Sequence, residues 1–206
     1  MTAKQVAIVH MTTNPLSGTC TTPDWIDRLL GVAMDIVIRE MRPEDARAFL
    51  EIHHAAVRGV AANDYPPEVI DAWAPAQLTD KAVALVRANP EGELSLIAEI
   101  DGRIVGVAAL VITNAELRAC YVAPEANRSG VGSALVRKLE QVARDQGLAL
   151  LELDSSVTAA PFYEALGYET PELGEHVLAN EQRIACVKMR KALPPPSARN
   201  FGGDTL

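Results

Sequence analysis

The sequence predicts an α/β (α+β) fold in which helices flank a mixed central sheet. Two apolar strand patterns, Leu94–Ile100 and residues 104–112, surround an Asp-Gly turn, which is a strong signal for an antiparallel hairpin. A strand, an amphipathic helix and an almost wholly aliphatic strand then follow between residues 114 and 154. This order is typical of a right-handed parallel βαβ unit. The last strand, residues 148–154, is expected to be covered on both faces.

The first part of the predicted domain contains a strand and three helices. Residues 36–39 predict a strand, and a Pro-Glu-Asp run at residues 43–45 opens a helix that ends at Gly59. Two shorter helices are predicted, one ending at Trp73 and one over residues 79–88. After the βαβ unit, a short helix and two further strands complete the pattern, and no internal repeat is evident.

The 206 residues are enough for one substantial core and too few for two ordinary domains. We expect one domain over residues 34–192. Residues 1–33 are rich in turn-forming Thr, Pro and Gly, and they are predicted to form a poorly defined N-terminal appendage, with Met34 as an alternative start. Residues 193–206 lack apolar periodicity and predict a disordered C-terminal tail.

The composition excludes several classes of protein. The formal net charge of −8 argues against a nucleic-acid-binding surface and against binding to an acidic membrane. No apolar run approaches the ~20 residues of a membrane span, and the N-terminus lacks the pattern of a secretory signal. Cys20, Cys120 and Cys186 form no CxxC pair, and no His spacing suits zinc. We therefore expect a cytoplasmic protein with reduced thiols and no metal.

The connection inside the βαβ unit has the chemistry of an anion site. Residues 124–132 form a loop of small residues that leads into a helix at Gly130-Val131-Gly132. The first N–H groups of a helix lack intrahelical partners and carry partial positive charge, and glycines let an anion come close to them. Arg128 offers a charged donor nearby. On these residues alone, a plain strand-to-helix turn explains the pattern at least as well.

Three motifs follow one another in order. They are a strand ending Tyr-Val-Ala-Pro at residues 121–124, the loop and helix start Asn-Arg-Ser-Gly-Val-Gly-Ser-Ala-Leu-Val at residues 127–136, and Phe-Tyr-Glu-Ala-Leu-Gly-Tyr-Glu at residues 162–169. With these motifs the chain resembles the GNAT superfamily of acetyl-CoA-dependent N-acetyltransferases, in a poorly characterised bacterial form, over about residues 36–191. The resemblance implies a mixed, mostly antiparallel central sheet with a central parallel βαβ splay, and transfer of acetyl from acetyl-CoA to a primary amine.

The resemblance also implies where CoA binds. The pyrophosphate would lie on the loop and first helical turn formed by Asn127, Arg128, Ser129, Gly130, Val131, Gly132 and Ser133. The family pattern has Gln or Arg at the first of these positions, so Asn127 is a departure with a shorter, uncharged side chain, for which Arg128 can compensate. The backbone of Val122 would pair with the pantetheine arm where two parallel strands splay apart.

Attack of an amine on a thioester needs a group that removes a proton, donors for the oxyanion and an acid for the leaving thiolate. Tyr163 matches the tyrosine that many members use as the acid, and simple packing against the sheet is its alternative role. Glu116 lies at the spacing where histone-type members of the superfamily have a glutamate that acts as a general base through water. The alternative is that Glu116 is a solvent-exposed acid at the edge of the strand. Strict strand alternation puts Glu116, Arg118, Cys120 and Val122 on one face.

The acceptor is expected to be a small amine, since no extended charged docking stretch is evident. His54, Asp64, Tyr65 and Trp73 are the candidates for contacting it, and for the two aromatic residues core packing is the alternative. A homodimer is left open. Two other functions compete: a non-catalytic acyl-CoA-binding regulatory module, favoured by Asn127 and by Ser156 where many members carry Asn, and a dinucleotide-binding oxidoreductase, which the missing third glycine disfavours.

Overall fold

The computed structural model describes residues 35–178 and 180–195. Its strands are β1 (Val37–Glu40), β2 (Leu94–Ile100), β3 (Arg103–Val111), β4 (Glu116–Val122), β5 (Leu150–Ser155), β6 (Glu169–Val177) and β7 (Arg183–Ala192). Its α-helices are α1 (Ala46–Gly59), α2 (Pro67–Trp73), α3 (Asp80–Ala88), α4 (Val131–Asp145) and α5 (Ala160–Ala165). None of these helices is long and apolar enough to cross a membrane. The predicted appendage, residues 1–33, and residues 196–206 of the predicted tail lie outside the described residues.

The seven strands of the described part form one sheet in the order β1-β2-β3-β4-β5-β7-β6. Every neighbouring pair is antiparallel except β4 and β5, which are parallel and are connected through α4. The Asp-Gly turn predicted between β2 and β3 has positive φ at both residues, 51° and 71°, as a tight hairpin requires. The predicted mixed, mostly antiparallel sheet with a central parallel βαβ unit and flanking helices is confirmed.

Helices pack against both faces of the sheet. On one side, here called the α4 face, the apolar stripe of α4 packs against the middle strands, and its buried members include Val131, Leu135 and Leu139. On the other side, the α1 face, residues such as Phe49 and Val57 of α1 pack against β3 and β4. Each fully buried side chain of this size stabilises the fold by about 1.5–3 kcal/mol. The two apolar layers therefore fix the strands between them.

Strand β5 corrects one expectation from the sequence. It was expected to be covered on both faces, but Leu151 and Leu153 are buried in the α4-face core while Glu152 is exposed and Asp154 is only partly buried. Residues 151–154 alternate between apolar and acidic side chains with the period of two that is expected for a strand with one exposed face. One face of β5 is therefore open and carries carboxylates.

Candidate active site

The connection between β4 and α4 folds back tightly before the helix begins. After a 3-10 turn at Pro124–Ala126, the Ser129 hydroxyl donates to the Ala126 carbonyl oxygen at 2.6 Å. Arg128 and Gly130 then have positive φ, 62° and 89°. Gly130 is the N-cap of α4 and has no side chain to cap the first N–H groups. Because a Cβ at Gly130 would meet no atom within 4 Å, the space above the helix start is open to an anion.

Helix α4 is seated on the sheet at Gly106 of β3. A Cβ at Gly106 would lie 2.6 Å from Val131 Cγ1 and 3.0 Å from a methyl group of Leu135. The backbone of β3 therefore approaches the first turn of α4 more closely than a larger residue would allow. This contact sets the height of the loop above the sheet.

The parallel strands β4 and β5 are joined at one end only. Their single registered pair is Glu116 with Glu152, and the Glu152 N–H donates to the Ala115 carbonyl oxygen at 2.9 Å. Farther along, β5 pairs with β7 and β4 pairs with β3, up to Val122 opposite Gly106. The two strands thus splay apart, and the edge of β4 that faces β5 remains available for hydrogen bonding.

Tyr163 lies on α5, in the same apolar cluster as Cys120 of β4. Its side chain is fully buried, and its hydroxyl has no hydrogen-bond partner among the described residues. Burial raises the pKa of Tyr163 well above its usual value, and the neighbouring Cys120 and Tyr121 add to the increase. The phenol is therefore a protonated donor beside the splayed part of β4, and a buried hydroxyl without a partner normally has a ligand or water to bond.

Strand β4 contains an extra residue, Arg118. On one side of it Leu117 pairs with Leu110 of β3, and on the other side Ala119 pairs with Ala109. Arg118 itself has no partner on β3. Such a β-bulge bends the strand and re-aims the side chains on either side of it.

The bulge corrects the predicted alternation on β4. Leu117 and Cys120, which strict alternation would put on opposite faces, both belong to the α4-face core. The prediction that Glu116 and Arg118 share a face with Cys120 and Val122 is therefore wrong, because the extra residue reverses the alternation between them. Glu116 lies on the α1 face instead.

Glu116 belongs to a buried ionic cluster. The Arg118 side chain is only 5% exposed, and its guanidinium bonds Glu116 at 3.0 Å and Glu93 at 2.8 Å and also contacts Glu91. Burial and the charge of Glu116 raise the pKa of Glu93. Because three carboxylates share one guanidinium, the cluster keeps an excess of negative charge.

A cavity of about 340 Å³ lies beside this cluster and was not predicted. Six charged side chains line it, Glu116, Glu152, Asp154, Glu172, Lys188 and Arg190. Asp154 bonds His176 at 3.0 Å and Lys188 at 3.2 Å. Burial opposes the charge of Asp154, but the bonds to His176 and Lys188 outweigh it, and the pKa of Asp154 is lowered. The alternating acids of β5 were the sequence signal for this cavity.

The four residues predicted to contact the acceptor do not converge on one point. Tyr65 and Trp73 are in edge-to-face contact with ring centroids 5.6 Å apart, and both are buried. Asp64 accepts a hydrogen bond from Thr158 at 2.6 Å. His54 is partly buried on α1. The predicted contacts with an acceptor remain predictions.

His53 is a buried residue that sequence reasoning gave no role. Only 5% of it is exposed, and neither ring nitrogen has a hydrogen-bond partner among the described residues. Its ring lies 4.6 Å from that of Tyr121. Burial, with a smaller contribution from His54, lowers the pKa of His53 to about 3. Its helical spacing with Phe49 and Val57 indicates a buried face, but the sequence gives no sign that both ring nitrogens lack a partner within the described part of the chain.

Comparisons with known proteins identify the family. The family model of the acetyltransferase (GNAT) domain matches residues 61–193. YafP of Escherichia coli, an uncharacterized N-acetyltransferase, is 29% identical over 163 residues, which are 74% of this chain and 88% of YafP. The glucosamine 6-phosphate N-acetyltransferase of Trypanosoma brucei brucei is 36% identical over 80 residues, which are 34% of this chain and 54% of that protein.

Solved structures agree with the sequence relatives. A GCN5-related N-acetyltransferase from Rhodopseudomonas palustris is 31% identical, with a TM-score of 0.67 over 76% of this chain and 95% of its own. PaiA N-acetyltransferase of Thermoplasma acidophilum, at 21% identity, has the same fold with a TM-score of 0.62 over 77% of this chain and 99% of its own. The chain therefore belongs to the GNAT family of N-acetyltransferases.

Proposed function

We propose that this enzyme transfers acetyl from acetyl-CoA to a primary amine of a small molecule, by direct attack of the amine on the thioester. The observation that carries the proposal is the Tyr163 hydroxyl, which is fully buried beside the splayed part of β4 and has no hydrogen-bond partner within the described part of the chain. A protonated phenol in that place is suited to give its proton to a leaving thiolate.

The cofactor-binding residues expected from the sequence fit the geometry of the loop before α4. The uncapped helix start and the open space above Gly130 suit a pyrophosphate, and the free edge of β4 near Val122 suits the amide groups of pantetheine. PaiA was solved with coenzyme A and YncA of Salmonella typhimurium with acetyl-CoA. We assign the pyrophosphate to Asn127, Arg128, Ser129, Gly130, Val131, Gly132 and Ser133.

The reaction then uses both faces of the sheet. The acceptor enters through the cavity on the α1 face, and its proton passes through water to Glu116, whose cluster has an excess of negative charge. The amine nitrogen forms a bond with the thioester carbon, and the carbon–sulfur bond breaks. The sulfur takes its proton from Tyr163, the nitrogen loses its second proton through water to the resulting phenolate, and no acyl group is attached to the enzyme at any stage.

The charges of the cavity favour a small, positively charged acceptor. Four carboxylates and two cationic side chains line its volume of about 340 Å³, so an ammonium group is attracted to it. The trypanosomal relative is named for glucosamine 6-phosphate, a small molecule with an amine, which supports a small amine acceptor but not the cationic character that the cavity favours. A small molecule also fits a cavity of this volume better than an extended protein segment does.

Further features of the proposal concern the protein as a whole. We infer one acetyltransferase domain over residues 34–192, acting in the cytoplasm without a metal, nucleic acid or membrane. The free thiols of Cys120 and Cys186 and the net charge of −8 support this setting.

Replacing Tyr163 by Phe tests the proposal. We expect kcat to fall at least tenfold while KM for acetyl-CoA stays within twofold, because only the proton donor is removed. The measurement is release of free CoA thiol with a panel of primary amines, repeated with the best acceptor. Tyr168→Phe is the matched control, since this tyrosine packs 5.5 Å from Tyr163 in the same cluster. Unchanged turnover of Tyr163→Phe would exclude this residue as the acid.

A further inference from the structure

The hydroxyl of Tyr65 joins three parts of the molecule that lie far apart in the sequence. It donates to the Ala185 carbonyl oxygen of β7 at 2.7 Å and accepts from the Val157 N–H at 3.0 Å. Tyr65 itself lies just before α2, and only 7% of it is exposed. Because burial raises the pKa of Tyr65 to about 12, the phenol keeps its proton and both bonds persist at neutral pH.

A second bond connects the neighbouring residue to the same loop. Asp64 Oδ2 accepts from Thr158 Oγ1 at 2.6 Å. The loop in question, residues 156–159, connects β5 to α5, and within it the Ser156 hydroxyl accepts from the Ala159 N–H at 3.1 Å. Residues 64 and 65, just before α2, therefore bond to the loop from another part of the chain, and Ser156 forms a hydrogen bond inside the loop.

This loop determines where α5 lies. Helix α5 has only six residues, which is too short for a helix to be stable on its own. Its place depends on the loop before it and on the burial of Phe162 and Tyr163 in the α4-face core. Without the Tyr65 hydroxyl, the loop would lose the bridge between its Val157 N–H and the Ala185 carbonyl oxygen of β7, and one of the bonds that fix its position would be absent. A displacement of about 1 Å at a reacting group is enough to slow catalysis strongly.

We propose that Tyr65 and Asp64 are positioning residues that hold the loop before α5, so that the Tyr163 hydroxyl faces the splayed part of β4. This inference rests on the proposed function, in which Tyr163 is the acid. It gives both residues a role different from the contact with the acceptor that the sequence led us to expect. It also links the α1 side of the sheet, which contributes Tyr65, to the proton donor on the α4 side.

A double-mutant cycle tests the inference. Tyr65→Phe keeps the ring against Trp73 and removes only the hydroxyl, and we expect kcat to fall about five- to tenfold with KM for acetyl-CoA unchanged within twofold. In a Tyr163→Phe background the same substitution is expected to cause no further loss, because the group that it positions is already absent. Thr158→Val, at the exposed Asp64 pair, should give a smaller loss that also vanishes in that background.

The outcomes separate the inference from the function on which it rests. Losses that multiply in the double variant, or single variants of Tyr65 and Thr158 with unchanged kcat, would overturn the positioning role while leaving Tyr163 as the acid. Full turnover by Tyr163→Phe alone would overturn the proposed acid, and the inference with it. If Tyr65→Phe does not fold, as judged by circular dichroism, the Thr158→Val cycle gives the same decision.

Discussion

The two faces of the central sheet are built in different ways. On the α4 face, the proposed cofactor site comes from one continuous stretch, in which β4, its loop and the first turn of α4 follow one another along the chain. On the α1 face, the site is assembled from distant residues: Arg118 bonds Glu91 and Glu93 of a preceding loop, and Tyr65 bonds Val157 across 92 residues. The first face depends on local backbone geometry, whereas the second depends on tertiary contacts.

This difference has a physical origin. An anion is bound by backbone N–H groups, so the shape of a short loop is sufficient and most of its side chains are free to vary. An acceptor is selected by side-chain charges and shape, which several elements must supply together. The α4 face is thus suited to a common cosubstrate and the α1 face to a particular acceptor.

The largest expected effect follows from replacing Gly106 by Ala, which tests whether the α4 face depends on the seating of its helix. The new Cβ would lie 2.6 Å from Val131 Cγ1, so α4 must move away from β3. We expect the free energy of unfolding to fall by about 1–3 kcal/mol. We also expect the affinity for CoA to fall about tenfold, because the loop before α4 moves with the helix. Thermal denaturation and isothermal titration with CoA measure the two effects.

Combining Gly106→Ala with Val131→Ala provides the control, since it removes the nearer of the two side-chain atoms that the new methyl group meets, and leaves the contact with Leu135. Stability and CoA affinity should both recover in part. Normal CoA binding by a destabilised Gly106→Ala variant would show that the loop keeps its shape independently of the helix.

A second prediction concerns the apolar layer of the α1 face. The pKa of His53 is about 3 in the folded protein and about 6.5 in an unfolded chain. Below pH 6.5 the imidazole is therefore protonated in the unfolded state but stays neutral in the native state. The free energy of unfolding falls as the pH falls from 6.5 toward 3. Between pH 7 and pH 5 the wild type should lose about 2 kcal/mol more than a His53→Leu variant.

Urea unfolding at a series of pH values measures this difference. His54→Leu is the matched comparison: His54 is next in the chain and only partly buried, and its pKa is also lowered, by burial and by Arg58. It should remove a smaller part of the acid sensitivity. Equal slopes for the wild type and His53→Leu would mean that His53 is able to take up a proton within the fold.

These two faces also show how far the sequence alone leads. Local turns and apolar periodicity were enough to predict the hairpin and the βαβ unit. The motifs at residues 121–124, 127–136 and 162–169 carried the resemblance to the GNAT superfamily, and that resemblance predicted the family and the splay. The bulge at Arg118 was not predicted, because residues 119–122 of β4 are all apolar and their sequence does not show on which face of the sheet each one lies. The charged cavity was missed because its members come from several different strands, and only their pairing brings Glu116 beside Glu152.

The smallest expected effect, and the one that decides whether the α1 face takes part in the chemistry, follows from Glu116→Gln. The amide can still accept a hydrogen bond from Arg118, which now lies 3.0 Å from the carboxylate, but it cannot take up a proton. If Glu116 is the base, kcat should fall about tenfold, equivalent to about 1.4 kcal/mol, with KM for acetyl-CoA unchanged. Glu152→Gln, on the strand directly opposite and facing the same cavity, removes the same charge without the proposed base and should raise only KM for the amine. If Glu116→Gln and Glu152→Gln both keep the wild-type kcat, proton removal is assigned to water. The α1 face would then contribute only binding of the acceptor and positioning of Tyr163.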